Sequence, residues 1–242
     1  MTTSRSSEQG RANRAPPPVD PLTARLVSWS EGNASLMALA VAGGWLAGSL
    51  RWTVAAAAGS FLALIVGFRR RWTPLGRFGA ANLITALRLL GALALLLGAS
   101  RGAWWPALVA LVILCADGLD GWVARRLGLA STFGQVFEQE VDAFFLLALC
   151  LVPYVEGQLG AWVLFPGTLR YLFVLFAKVA KPPRSTAPGN GFTRAVAVLA
   201  ILALIACLLP VERVCPGAAW AATVALSASF LYSTWRLYRP AA

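Results

Sequence analysis

From residue 35 onward the chain is built of apolar blocks separated by short clusters of charge. The blocks are rich in Ala, Leu and Val and do not alternate apolar with polar, so they read as helices and not as strands of a β-barrel. Several run to about 18–20 residues, the length at which a helix crosses a hydrocarbon core. The pattern predicts eight helices, at about 35–50, 52–68, 80–99, 103–123, 134–153, 159–179, 193–210 and 216–235. Residues 1–34 are polar, contain Pro16, Pro17 and Pro18, and show no apolar periodicity, so a disordered cytoplasmic tail is expected there. No apolar run falls in this stretch, so an ordinary cleaved signal peptide is not expected. Residues 35–71 read as a helical hairpin, or as a partly re-entrant pair, split by Arg51-Trp52 and closed by Arg69, Arg70 and Arg71. The other six helices fall within 72–242. The expected fold class is all-α: a polytopic membrane helical bundle with a six-helix core and two extra N-terminal membrane helices.

Composition strengthens this reading. Hydrophobic residues make up 58% of the 242 positions and charged ones 13%, with a mean hydropathy of +0.68. A soluble domain of this size carries far more polar surface. The net charge of +11 alone would suit a nucleic-acid binder, but its distribution does not. If the N-terminus is cytoplasmic and all eight helices span, sixteen of the 21 basic residues fall on that side. Only Arg51, Arg101 and Arg213 fall on the other, while Arg88 and Arg170 lie inside helices. That asymmetry is the positive-inside pattern of a multi-pass protein, and no nucleic-acid partner is expected. The chain has no histidine, which excludes a Ser-His-Asp triad, a His general base and His-ligated zinc. Cys115, Cys150, Cys207 and Cys215 lack metal-type spacing and read as buried small hydrophobes, not disulfides.

The chemistry is concentrated in one window. Of ten acidic residues, five lie between Asp117 and Asp142, with long apolar runs on both sides. Carboxylates next to a bilayer core are costly unless paired or metal-bound. Asp117, Asp120, Gly121 and Ala124 share one face of a helix, and Gly134, Glu138 and Asp142 make a stripe on the next. A short turn containing Gly128 lets the two stripes face each other. Four converging carboxylates repel unless a cation sits among them, and an all-oxygen ligand set suits Mg²⁺, Mn²⁺ or Ca²⁺, not zinc. Gly121, Ala124 and Gly134 leave room for a ligand, and Arg125 stands where it can hold a phosphate oxygen. Glu140 lies off the stripe and is expected to be a buried ion pair or a snorkelling surface acid.

These residues resemble the signature of the CDP-alcohol phosphatidyltransferase family, D-x-x-D-G-x-x-A-R-x8-G-x-x-x-D-x-x-x-D. Asp117, Asp120, Gly121, Ala124, Arg125, Gly134 and Asp142 match at the required spacing, and Glu138 replaces the third Asp. Asn82, Thr85 and Arg88 resemble the family's P-N-x-x-T-x-x-R helix start, with Ala81 in place of Pro. The resemblance implies transfer of a phosphatidyl group from a CDP-linked lipid, usually CDP-diacylglycerol, to a polar alcohol acceptor with release of CMP. It implies two divalent ions on Asp117, Asp120, Glu138 and Asp142, with Asp142 as general base. Asn82, Thr85, Gly121, Ala124, Arg125, Ser131 and Gly134 are the implied contacts of the CDP-lipid. Arg88, Arg170, Lys178 and Arg194 are candidates for an anionic acceptor such as glycerol phosphate, although Arg88 could instead pair with a signature acid. A homodimer, a bacterial inner membrane and an active site at its cytoplasmic face complete the expectation. The rival readings are a catalytically impaired lipid-binding scaffold and a membrane transporter of cations.

Overall fold

The computed structural model describes residues 20–47, 49–98, 102–126, 130–180, 191–210 and 215–238. The side chains of 120–125, 191–194, 215, 233 and 235–238 lie outside that description. The described chain forms eight α-helices: α1 (Pro21–Ala47), α2 (Arg51–Gly67), α3 (Gly79–Gly98), α4 (Trp105–Arg126), α5 (Thr132–Val155), α6 (Leu164–Ala180), α7 (Gly191–Ala206) and α8 (Cys215–Tyr238). A single 3-10 turn, Ala161–Val163, leads into α6, and no strand occurs among the described residues.

The first helix departs from expectation. It begins at Pro21, inside the stretch expected to be a disordered tail, and its first turn closes with Ala24 N–H donating to Asp20 O at 3.0 Å. Proline suits a first helical position because its missing N–H has no helical partner there. The buried face of α1 is Leu26, Ser30, Asn33, Ala34, Met37, Ala40 and Gly44. That is helical spacing, but Ser30 and Asn33 interrupt its apolar character, so no hydrophobic stripe announces it. Residues 1–19 of the expected tail lie outside the described residues. The other seven helices fall close to their expected positions.

The buried face of α3 takes in its polar residues along with Leu89, Ala92, Leu95 and Leu96. Asn82, Thr85 and Arg88 are buried, while Leu83, Leu87, Leu90 and Leu97 are exposed. Buried polar groups behind an exposed leucine face are the pattern of a helix facing lipid. Gly79–Gly98 and Ala161–Ala180 are long and apolar enough to cross a membrane, and Arg51–Gly67, Trp105–Leu119 and Ala195–Ala206 are shorter apolar helices. The fold is a helical membrane bundle. Cys150 and Cys207 are buried free thiols as expected, but Cys115 is exposed on α4. The side chain of Cys215 lies outside the described residues.

Helix α5 forms the centre, with Phe133, Phe137, Val141, Phe144, Leu147 and Ala148 fully buried. It packs against α1, α3, α6 and α7, while α3 packs against both α4 and α5. The α1–α2 hairpin covers one side of α5: the Phe61 ring lies 6.3 Å from that of Phe137 and 5.9 Å from that of Phe144. Close helix approach depends on small residues. A Cβ at Gly167 of α6 would sit 3.0 Å from Leu147 Cα and 3.2 Å from Cys150 Sγ of α5. Gly167→Val is therefore expected to lower thermal stability in detergent by about 1–3 kcal/mol. Gly43→Ala, where nothing lies within 4 Å of the added Cβ, is the control that leaves it unchanged or raises it.

Candidate active site

Three helices deliver the site. Asp117 comes from α4, Glu138 and Asp142 from α5, and Arg88 from the buried face of α3. One carboxylate oxygen each from Asp117, Glu138 and Asp142 lies within 4.8 Å of the others. The Arg88 guanidinium bridges two of them: its Nη2 donates to Asp117 Oδ1 at 2.5 Å and also to Asp142 Oδ1. Arg88 is 3% exposed, whereas the Asp117 and Asp142 side chains are each 44% exposed. The guanidinium is thus the floor of the cluster, and the carboxylates form a rim that opens outward.

The donor set fits a divalent metal. Among the described residues its ligand atoms are carboxylate oxygens of Asp117, Glu138 and Asp142, and hard cations such as Mg²⁺ and Mn²⁺ take oxygen ligands. Glu138, the departure from the signature, reaches the same cluster as the two aspartates. Asp120, Gly121, Ala124 and Arg125 lie on the α4 backbone, but their side chains lie outside the described residues.

Two of the expected donor-contacting residues, Asn82 and Ser131, meet at one loop carbonyl, and a third, Gly134, lies beside them. Asn82 Nδ2 donates to Phe78 O at 2.6 Å and to Trp72 O at 3.3 Å. Ser131 Oγ donates to the same Trp72 O at 2.7 Å. Ser131 also caps α5, its Oγ accepting from Gly134 N–H at 3.0 Å. This satisfies one of the helix's open N-terminal donors. A Cβ on Gly134 would come within 3.1 Å of Asn82 Oδ1 and 3.2 Å of Ser131 Oγ. Glycine at this signature position therefore keeps the Asn82–Ser131 contact region clear. Thr85 Oγ1 donates to Ala81 O at 3.2 Å. Trp72 escaped the sequence reading because its role is played by a main-chain carbonyl, which leaves no side-chain signal.

The acceptor candidates separate. Arg88 stands in the cluster and pairs with Asp117 and Asp142. Arg170 Nη2 donates to Glu140 Oε1 at 2.8 Å. Lys178 Nζ pairs with Glu31 Oε2 of α1 at 3.3 Å. Those partners lie on α1 and on the side of α5 away from Glu138 and Asp142. The side chain of Arg194 lies outside the described residues. Glu140 is the buried ion pair that the sequence suggested, at 1% exposure.

A family model for CDP-alcohol phosphatidyltransferases matches residues 78–234. The chain belongs to the CDP-alcohol phosphatidyltransferase family. No curated protein and no solved structure matches it. The matched region runs from the start of α3 into α8 and leaves α1 and α2 outside. As a CDP-alcohol phosphatidyltransferase, the protein is an enzyme of phosphatidyl transfer from a CDP-alcohol. The family normally uses a divalent metal, and the Asp117–Glu138–Asp142 cluster is a group that could bind one.

Arg88 supplies the positive charge that lets Asp117 and Asp142 approach. Arg88→Gln is expected to lower the metal-free thermal midpoint, by a loss on the order of 2 kcal/mol. This is below the range for a fully buried pair because both carboxylates are part-exposed. Added Mg²⁺ should then raise the midpoint by more than it does in the parent protein, because the ion replaces the missing charge. Equal Mg²⁺ increments in both proteins would show that the guanidinium does not balance these acids.

Proposed function

We propose that this CDP-alcohol phosphatidyltransferase is a phospholipid-synthesis enzyme that uses CDP-diacylglycerol as donor and a polar alcohol as acceptor, and releases CMP. The observation that carries the reading is the meeting of Asp117, Glu138 and Asp142 over Arg88 in a bundle whose outer surface is leucine-rich. Such a site suits a substrate with a charged pyrophosphate and two acyl chains. Bound Mg²⁺ or Mn²⁺, as two ions on Asp117, Asp120, Glu138 and Asp142, would neutralise the pyrophosphate and the departing CMP.

The chain's own groups do the rest. Asp142 accepts the proton of the acceptor hydroxyl. The freed oxygen forms a bond to the phosphorus that carries diacylglycerol, and the pyrophosphate P–O bond to CMP breaks. No covalent enzyme intermediate and no histidine are required. Asn82, Thr85, Gly121, Ala124, Arg125, Ser131 and Gly134 hold the cytidine and phosphate end of the donor. Among the described residues, Arg88 is a cation in the acidic cluster, paired with Asp117 and Asp142, and it stays a candidate for an anionic acceptor. The pairings of Arg170 with Glu140 and of Lys178 with Glu31 favour structural roles for those two, and Arg194 remains an acceptor candidate. The charge asymmetry of the sequence supports a cytoplasmic site in a multi-pass inner-membrane protein, and family membership supports a homodimer.

The test is CMP release by the purified protein given CDP-diacylglycerol, Mg²⁺ and a panel of alcohols that includes glycerol phosphate and inositol phosphate. Release with one acceptor, reduced about 10²–10⁴-fold in Asp142→Asn, is expected. Glu138→Asp should keep or raise the rate. Tight donor binding without release for any acceptor would favour the scaffold reading, and metal flux without release would favour a transporter.

A further inference from the structure

We propose that Glu140 is a positioning residue for the metal-binding face of α5, and that the α1–α2 hairpin is a working part of the catalytic unit through its hold on Glu140. The proposal rests on reading Asp117, Glu138 and Asp142 as the metal site.

Glu140 lies between Glu138 and Asp142 in sequence, but about 160–200° from them around α5. Its carboxylate is 1% exposed and is gripped from two sides. Ser30 Oγ of α1 donates to Oε1 at 2.6 Å, and Arg170 Nη2 of α6 donates to the same oxygen at 2.8 Å. Asn33 Nδ2 of α1 donates to Oε2 at 3.1 Å. The Asn33 amide is itself oriented by α2, because Ser60 Oγ donates to its Oδ1 at 2.7 Å. Phe61 packs on Phe137 and Phe144, about one turn before and one turn after Glu140. Glu140, Ser30 and Asn33 are therefore closed in apolar packing, where hydrogen bonds are strong and the loss of one is costly, while Arg170 is a quarter exposed.

Helix α5 thus carries an anchor on each face. Arg88 holds Asp142 from the α3 side, and Ser30, Asn33 and Arg170 hold Glu140 from behind. Two opposed anchors fix the rotation of a helix about its own axis. A slip of ~20° would move a carboxylate by roughly 1–2 Å, enough to cost about 10²-fold in a catalytic geometry. A buried ion pair is often dispensable for stability alone, and a role in fixing one arrangement accounts better for keeping it. The hairpin lies outside the family match of residues 78–234, whereas Glu140 and Arg170 lie within it, so the Ser30 and Asn33 contacts join the extension to the family core.

The experiment titrates Mn²⁺ onto the full-length protein in detergent by electron paramagnetic resonance, beside CMP-release kinetics and thermal midpoints. Asp142→Asn is the reference for loss of the site. Glu140→Gln is expected to weaken Mn²⁺ binding by about tenfold or more, as groups that orient metal ligands do. It should also lower kcat with little change in KM for the donor. Asn33→Ala and Ser60→Ala should shift both readouts in the same direction by less, and they decide the matter if Glu140→Gln does not fold. Glu140→Asp, which keeps the charge, should recover part of the loss. The proposal is overturned if these variants lower only the thermal midpoint and keep parental Mn²⁺ affinity and kcat per folded molecule. If the parent protein binds no Mn²⁺, the metal reading fails and the proposal falls with it. If the parent binds Mn²⁺ and releases CMP while the hairpin variants match it, only the role of Glu140 is refuted.

Discussion

One cation shared between two acids holds this structure's chemistry together. The Arg88 guanidinium, buried under the cluster, ties Asp117 of α4 to Asp142 of α5. Carboxylates brought together from separate helices repel, even where water reaches them in part. A positive group between them makes the approach favourable. The same electrostatic demand makes the rim receptive to a divalent ion and, through it, to a pyrophosphate. The arrangement that stabilises the bundle and the one that would bind donor are therefore two states of one charge balance.

Helix α5 carries polar groups on two opposed faces, and this explains much of the packing around it. Glu138 and Asp142 face the cluster, while Glu140 faces the hairpin and α6. Between these polar points its surface is aromatic and aliphatic, matched by Phe61 and by the close approach of Gly167. At the N-terminal end of α5, Ser131 caps the helix and reaches Trp72 O, which also accepts from Asn82. The loop after α2 is thereby joined to the same end of the site. Hairpin and family core form one packed body, although the family match begins only at residue 78.

The sequence revealed most where polar residues were rare. In an apolar chain, acids at helical spacing leave few interpretations, so the cluster of Asp117, Glu138 and Asp142 was legible, as was the option that Arg88 pairs with a signature acid. The helices were legible because long apolar runs need no partner to be recognised. The start of α1 was hidden for the opposite reason. Its buried face includes Ser30 and Asn33, which become interior residues only when Glu140, more than a hundred positions away, supplies acceptors. The partner of Arg170 was hidden in the same way: spacing showed a charge inside an apolar helix but not which helix would meet it. Trp72 left no trace, since a main-chain carbonyl is common to every residue type.

The most direct measurement of the central claim is anomalous diffraction from crystals of the protein grown with Mn²⁺. An anomalous peak bonded to carboxylate oxygens of Asp117, Glu138 and Asp142, above the Arg88 guanidinium, is expected. A peak elsewhere, or Asp117 and Asp142 turned to separate surfaces with no ion between them, would contradict it.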